Sequence, residues 1–171
     1  MFRLIGAILI IGATAAMGLT SVRQMDKRAR NLAEILTSLK TMRREICDRM
    51  TPMPELLEQL QNEADAPADQ FFAQVIRQMG DIGTRSFHAI WKSAVEHTPD
   101  LALTEREAQA LADLGRTLGR YDIEEQRAAL DDTIGRMEDF WKAAIEERRT
   151  RGKVHAVLGL VTGVFAVIIL L

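Results

Sequence analysis

Charged and apolar positions are sorted along this chain into three stretches. From Leu4 to Val22, LIGAILIIGATAAMGLTSV runs 19 residues without a charge, roughly 28 Å as a helix and close to the thickness of a bilayer's hydrocarbon core. From Val154 to Leu171 a second uncharged stretch, VHAVLGLVTGVFAVIILL, closes the sequence. Between them hydrophobic residues recur at helical spacing on a background dense in Glu, Asp, Arg and Lys. The pattern predicts a transmembrane helix over 1–22, a helical domain over 23–153 and a second transmembrane helix over 154–171.

Within the middle stretch Met25, Leu32, Leu39 and Ile46 recur every seven residues, with Ile35 and Met42 in the alternate seam. The first helix of the domain therefore presents one apolar stripe and is expected to continue the membrane helix. The four prolines, Pro52, Pro54, Pro67 and Pro99, all fall between periodic segments, where the missing N–H and the ring do least harm. Thr51 and Pro52 read as N-cap and first-turn residues of a second helix with Met53, Leu56, Leu57 and Leu60 inward. A third follows Pro67 with face Phe72, Val75, Ile76 and Met79, ended by Gly80 and Gly83. A fourth carries Phe87, Ile90, Trp91, Ala94 and Val95 on one side.

Thr104 and Glu107 make a capping box for a fifth helix whose apolar positions are Ala108, Leu111, Ala112, Leu114 and Leu118, closed by Gly119. Asp122, with Glu125, opens a sixth helix in which Leu130, Ile134, Met137, Trp141 and Ala144 form a seam toward the second span. The fold class is all-α: a six-helix bundle whose first and last helices continue into the two transmembrane helices.

Charge then orients the domain. The net charge is −2, which implies no broad nucleic-acid surface. Arg23, Lys27, Arg28, Arg30, Arg148, Arg149, Arg151 and Lys153 flank the domain side of the two spans, against Arg3 alone outside. The positive-inside rule places such a domain in the cytoplasm. A competing reading makes the first stretch a signal peptide, with Ala13-Thr14-Ala15 before a cleavage site, but the apolar run continues through Met17 and Leu19 as an uncleaved anchor would. Gly159 and Gly163 form GxxxG, and Gly12 and Ala16 its small-residue analogue, spacings that let membrane helices approach closely. His155 is read as an interfacial residue.

Candidate chemistry is thin. The single cysteine, Cys47, excludes an internal disulfide and has no zinc-ligand spacing. His88 and His97 lie about half a turn apart around an ideal helix and do not share a metal easily. Glu55 with Glu58, and Glu146 with Glu147, read as solvated faces, and no phosphate loop is present. No catalytic residue, cofactor, metal or small-molecule substrate is expected, and an enzyme is not. Arg43, Arg44 and Arg120, near helix ends, are the candidate partner contacts. Thr51, Pro52, Gly119 and Asp122 are the candidate turn and cap residues.

The opening MFRLIGAILIIGATAAMG, the Leu32–Ile46 helix ending Arg44-Glu45-Ile46, the Thr51-Pro52-Met53-Pro54-Glu55 turn, and Leu114-Gly115-Arg116-Thr117-Leu118-Gly119-Arg120-Tyr121-Asp122 with Glu125-Gln126 resemble the stage III sporulation protein AB family. The resemblance spans essentially the whole chain, with Met53 where leucine is expected and Trp91 as a second departure. It implies a component of the channel apparatus between mother cell and forespore, lodged in the mother-cell membrane facing the forespore. It also implies a soluble domain similar to the cytoplasmic domains of type II secretion platform protein F. By that likeness the partners are a secretion-type ATPase, stage III sporulation protein AA, and other channel proteins. Two alternatives stand beside it: a membrane-tethered helical adaptor unrelated to sporulation, and a surface-exposed helical protein anchored at its C-terminus.

Overall fold

A computed structural model describes the backbone of residues 2–120 and 122–170, and the side chains of Thr20, residues 23–120 and residues 122–150. Among the described residues six α-helices follow one another: α1 Phe2–Cys47, α2 Met53–Glu63, α3 Ala68–Gln78, α4 Phe87–Glu96, α5 Glu105–Leu114 and α6 Ile123–Leu170. Short 3₁₀ turns at Met79–Asp81 and Pro99–Leu101 interrupt the connections. Among the described residues the only extended pairing is an isolated bridge between Ile82 and Arg85. The chain is all-α, as its periodicity predicts.

Two compact units divide it, Arg30–Trp141 on one hand and Met1–Ala29 with Lys142–Leu171 on the other. In the second unit Arg28 Nη1 meets Glu147 Oε2 at 2.9 Å, and Arg148 pairs with Asp26. Thr20 apart, the apolar stretches Leu4–Val22 and Val154–Leu171, with Gly12, Ala16, Gly159 and Gly163, lie outside the residues whose side chains are described. Among the described residues no helix is long and apolar enough to cross a membrane.

In residues 30–141 the heptad stripe of α1 is the spine of the core. Leu32, Ile35, Leu36, Leu39, Met42 and Ile46 are all buried. The facing part of α6 runs antiparallel to it, since Lys40 Nζ pairs with Glu138 at 2.7 Å while Arg43 Nε pairs with Asp131 at 2.5 Å. Leu130 and Met137 fill the α6 seam as expected, whereas Ile134 and Trp141 are only half-buried. Gln126 and Thr133 take buried seam positions, and Thr133 does so at little polar cost because its hydroxyl donates to the Ala129 carbonyl at 2.8 Å.

The four short helices pack in chain order, α2 on α3, α3 on α4 and α4 on α5. The buried face of α3 is Ala68, Phe71, Phe72 and Val75, rotated from the expected one, so that Ile76 and Met79 are half-buried. The reason is aromatic: Phe71 sits edge-on to Trp91, centroids 4.8 Å apart at 84°, a geometry favoured by ring quadrupoles. Ser86 caps α4 by accepting from Ala89 N at 3.2 Å. The Thr104–Glu107 box opens α5 as its sequence predicts, while Ala108 yields its inward place to Ala110.

Candidate functional site

The corner between α5 and α6, where the sequence is most distinctive, is built from local turn constraints and one contact with α4. Gly115 lies so close to Trp91 that a Cβ there would stand 2.7 Å from Cδ1 and 2.8 Å from Cγ. The indole cannot easily retreat, because it is fully buried and its Nε1 donates to the Leu111 carbonyl at 2.7 Å. Gly119 then adopts φ +80°, the left-handed region in which a side chain meets its own backbone. Asp122 Oδ1 accepts from the amides of Glu124 at 2.9 Å and Glu125 at 3.1 Å, satisfying donors that the first turn of α6 leaves open. Gln126 holds the turn from inside: its Nε2 donates to the Arg120 carbonyl at 2.6 Å, and its Oε1 accepts from Gly119 N at 3.3 Å. The Glu125 carboxylate does not complete a box with Asp122 and instead takes Arg120 Nη1 at 2.8 Å.

A buried carboxylate organises the α1–α2 turn. Glu45 is 2% exposed and accepts from Thr51 Oγ1 and Arg49 Nη1, both at 3.0 Å, with Arg44 Nε at 3.4 Å. Thr51 N also donates to the Glu45 carbonyl at 3.0 Å. This corrects the N-cap expected at Thr51: the capping position of α2 is Pro52, with no side-chain cap bond. The hydroxyl is directed back to Glu45 because an ionised acceptor makes the stronger, charge-assisted bond.

The three candidate contact arginines each face a carboxylate of their own chain. Arg43 binds Asp131 through Nε and Nη2, and that hydrogen bond, followed by the charge of Asp131, raises its pKa above the ordinary value. Arg44 meets Glu45, and Arg120 meets Glu125. On α5, Asp113 is held below its ordinary value by the Gln109 hydrogen bond first and by Arg116 after it, against the opposing effect of burial.

His97 is exposed at the end of α4, its Nδ1 2.8 Å from the Ser93 carbonyl, while His88 is half-buried in the first turn of the same helix. Cys47 is a buried free thiol. Among the described residues no group of three or more His, Cys, Asp or Glu is placed to hold a metal ion. Sequence reasoning passed over Glu45, Gln126 and Asn31, whose Nδ2 donates to the carbonyls of Asp100 and Leu101, both at 2.9 Å. Gln126 stands four residues before Leu130, at a position that the period of α6 assigns to the core, whereas Asn31 and Glu45 each precede a heptad residue of α1 by one and carry no such signal.

Comparison with known proteins agrees with this architecture. Stage III sporulation protein AB of Bacillus subtilis (strain 168) is 24% identical over 172 residues, covering 100% of both chains. A solved structure of stage III sporulation protein AB superposes with a TM-score of 0.66 at 22% identity, covering 72% of this chain and 98% of that one, a likeness of fold. Residues 3–171 match the family described as stage III sporulation protein AB, and with that match running nearly end to end, the chain belongs to this family.

Proposed function

We propose that the protein is a non-enzymatic, membrane-anchored platform component of the mother cell–forespore channel apparatus, and that its helical domain docks a secretion-type ATPase, stage III sporulation protein AA, at the cytoplasmic face. The observation that carries this reading is the family match over residues 3–171. The geometry supports a binding role, because the polar residues with chemical potential serve the fold: Glu45 and Gln126 close turns, and Glu107 caps a helix. The matched relatives are named for a stage of sporulation and for no reaction. The uncharged stretches at Leu4–Val22 and Val154–Leu171 and the eight basic residues flanking the domain support two anchors with the domain in the cytoplasm.

Capture of the ATPase by the full-length protein in nanodiscs tests the docking. Binding at micromolar concentration or tighter is expected. Its absence, from nanodiscs and from native membranes alike, overturns docking and leaves a scaffold acting through its membrane helices. Orientation has a separate test, a reporter inserted in the exposed turn at Gly83–Thr84, where a cytoplasmic signal is expected and an external one overturns the topology.

A further inference from the structure

The division of the chain into two units is also a division of charge. Residues 30–141 carry thirteen basic and twenty-one acidic side chains, whereas residues 23–29 and 142–153 of the other unit carry eight basic and three acidic ones. The two helices that bear this basic excess are held together by ion pairs, Arg28 with Glu147 at 2.9 Å and Arg148 with Asp26. Two of the three acids are thus engaged within the base itself, and Glu146 is the third. Lys27 is half-buried and already engaged. Arg23 on α1 and Arg149 on α6 are exposed and have no ion pair among the described residues. Arg151 and Lys153 follow on α6 and add two further charges.

Depth decides what such a band meets. Arg23 directly follows the uncharged stretch that ends at Val22, and Lys153 directly precedes the one that begins at Val154. At a rise of about 1.5 Å per residue, Lys27 lies about 8 Å beyond the first stretch and Arg148 about 9 Å before the second. With those stretches across a bilayer, the headgroup layer reaches about 5–8 Å past the hydrocarbon, and a charge is felt for about 8 Å more at physiological salt. The band therefore lies level with lipid phosphates, which a guanidinium fork suits in two-pronged contacts. The acidic excess of residues 30–141 is repelled by the same phosphates, so the attraction is confined to the base. We propose that residues 23–29 and 142–153 form a collar that binds the phosphate groups of anionic lipids such as phosphatidylglycerol, with Arg23 and Arg149 as its free contacts. This rests on the membrane-anchoring reading above and goes beyond it: the positive-inside pattern sets orientation, whereas the collar selects the lipids around the anchors.

The test uses the full-length protein in vesicles of mixed phosphatidylcholine and phosphatidylglycerol, with spin-labelled lipid of each type reporting the fraction held at the protein surface. Phosphatidylglycerol is expected to associate about fivefold more strongly than phosphatidylcholine, the factor that one basic residue near the surface supplies. Salt at about 1 M should bring that ratio close to one. Arg23→Gln with Arg149→Gln at least halves the ratio, and Arg23→Lys with Arg149→Lys keeps it, since a charge is retained at each place. Arg77→Gln with Arg106→Gln, two exposed positions in the acidic unit, leaves it unchanged. Circular dichroism confirms that each variant is folded. A ratio near one for the unaltered protein, or equal losses from the collar and domain variants, overturns the proposal. So does a ratio abolished by inorganic phosphate but not by chloride at the same ionic strength, which would make the collar a site for free phosphate. Anchoring fails separately. Release of the chain from membranes by alkaline carbonate removes the spans and the collar with them, while a retained chain without lipid preference removes the collar alone.

Discussion

Replacing Gly115 by alanine puts one methyl group where Trp91 already is. The new Cβ would stand 2.7–2.8 Å from three indole-side atoms, against the 3.4 Å at which ordinary contact begins, so ring or backbone must move by roughly 0.6 Å in a close-packed interior. The ring is fully buried, tied to the Leu111 carbonyl and wedged edge-on against Phe71. Overpacking of this kind costs about 1–3 kcal/mol, and a stretched buried N–H bond adds about 1 kcal/mol. Gly115 has φ −59° and ψ −13°, which alanine adopts freely, so reduced freedom of the unfolded chain returns about 0.4–1 kcal/mol. The balance is a loss of about 2 kcal/mol, which for a domain of this size lowers Tm by roughly 5–10 °C.

Gly135 supplies the control. It lies inside α6 with nothing within 4 Å of a built Cβ, so Gly135→Ala should stabilise by about 0.5–1 kcal/mol through helix propensity alone. Thermal melting of both variants in the full-length protein, with the near-ultraviolet tryptophan signal as a local probe, separates the two. The packing argument is refuted if Gly115→Ala raises Tm as Gly135→Ala does, or leaves both Tm and the tryptophan signal unchanged.

Gly119→Val should destabilise the domain by about 1–3 kcal/mol, since a β-branched residue at φ +80° carries backbone strain; unchanged melting with partner binding lost would make the corner a docking surface instead. Asp113 gives a pH dependence whose sign follows from its lowered folded pKa: its contribution is present above the ordinary value of 3.8 and is lost as pH falls through the folded value. Denaturation of Asp113→Asn should therefore show a shallower loss of stability between neutral pH and the acid side of that value than the unaltered protein, and parallel curves would count against the pairing with Gln109 and Arg116.

Element existence was readable because the segments are long, periodic and cleanly punctuated. The seven-residue recurrence of Leu32, Leu39 and Ile46 found the spine of the core, and the Thr104–Glu107 spacing found a capping box that the structure contains. What periodicity could not supply was rotation and partnership. On α3 the contest between Phe71 and Ile76 for the inward place was decided by where Trp91 sits, a residue twenty positions beyond Phe71. On α6 the seam passed to Gln126 and Thr133 because each satisfies its own polar atoms locally. Thr51 looked like a cap because its neighbour is proline, and only the fold shows that Glu45 is buried six residues back to receive its hydroxyl.

The same distinction bears on where a partner can dock. Four of the residues that make the Leu114–Gln126 stretch recognisable in sequence have an internal reason: Gly115 makes room for Trp91, Gly119 permits the turn, Asp122 caps α6, and Gln126 clasps Gly119 and Arg120. A motif whose residues face one another identifies a fold more readily than a binding surface. Arg120 illustrates the consequence. Its side chain is half exposed and lies inside the most distinctive stretch, yet its charge is answered by Glu125 at 2.8 Å, so a partner carboxylate would have to compete with one already tethered in the same turn. What makes the stretch recognisable is therefore its turn-forming role, and its exposed arginines, Arg116 and Arg120, are each answered by a carboxylate of the same corner.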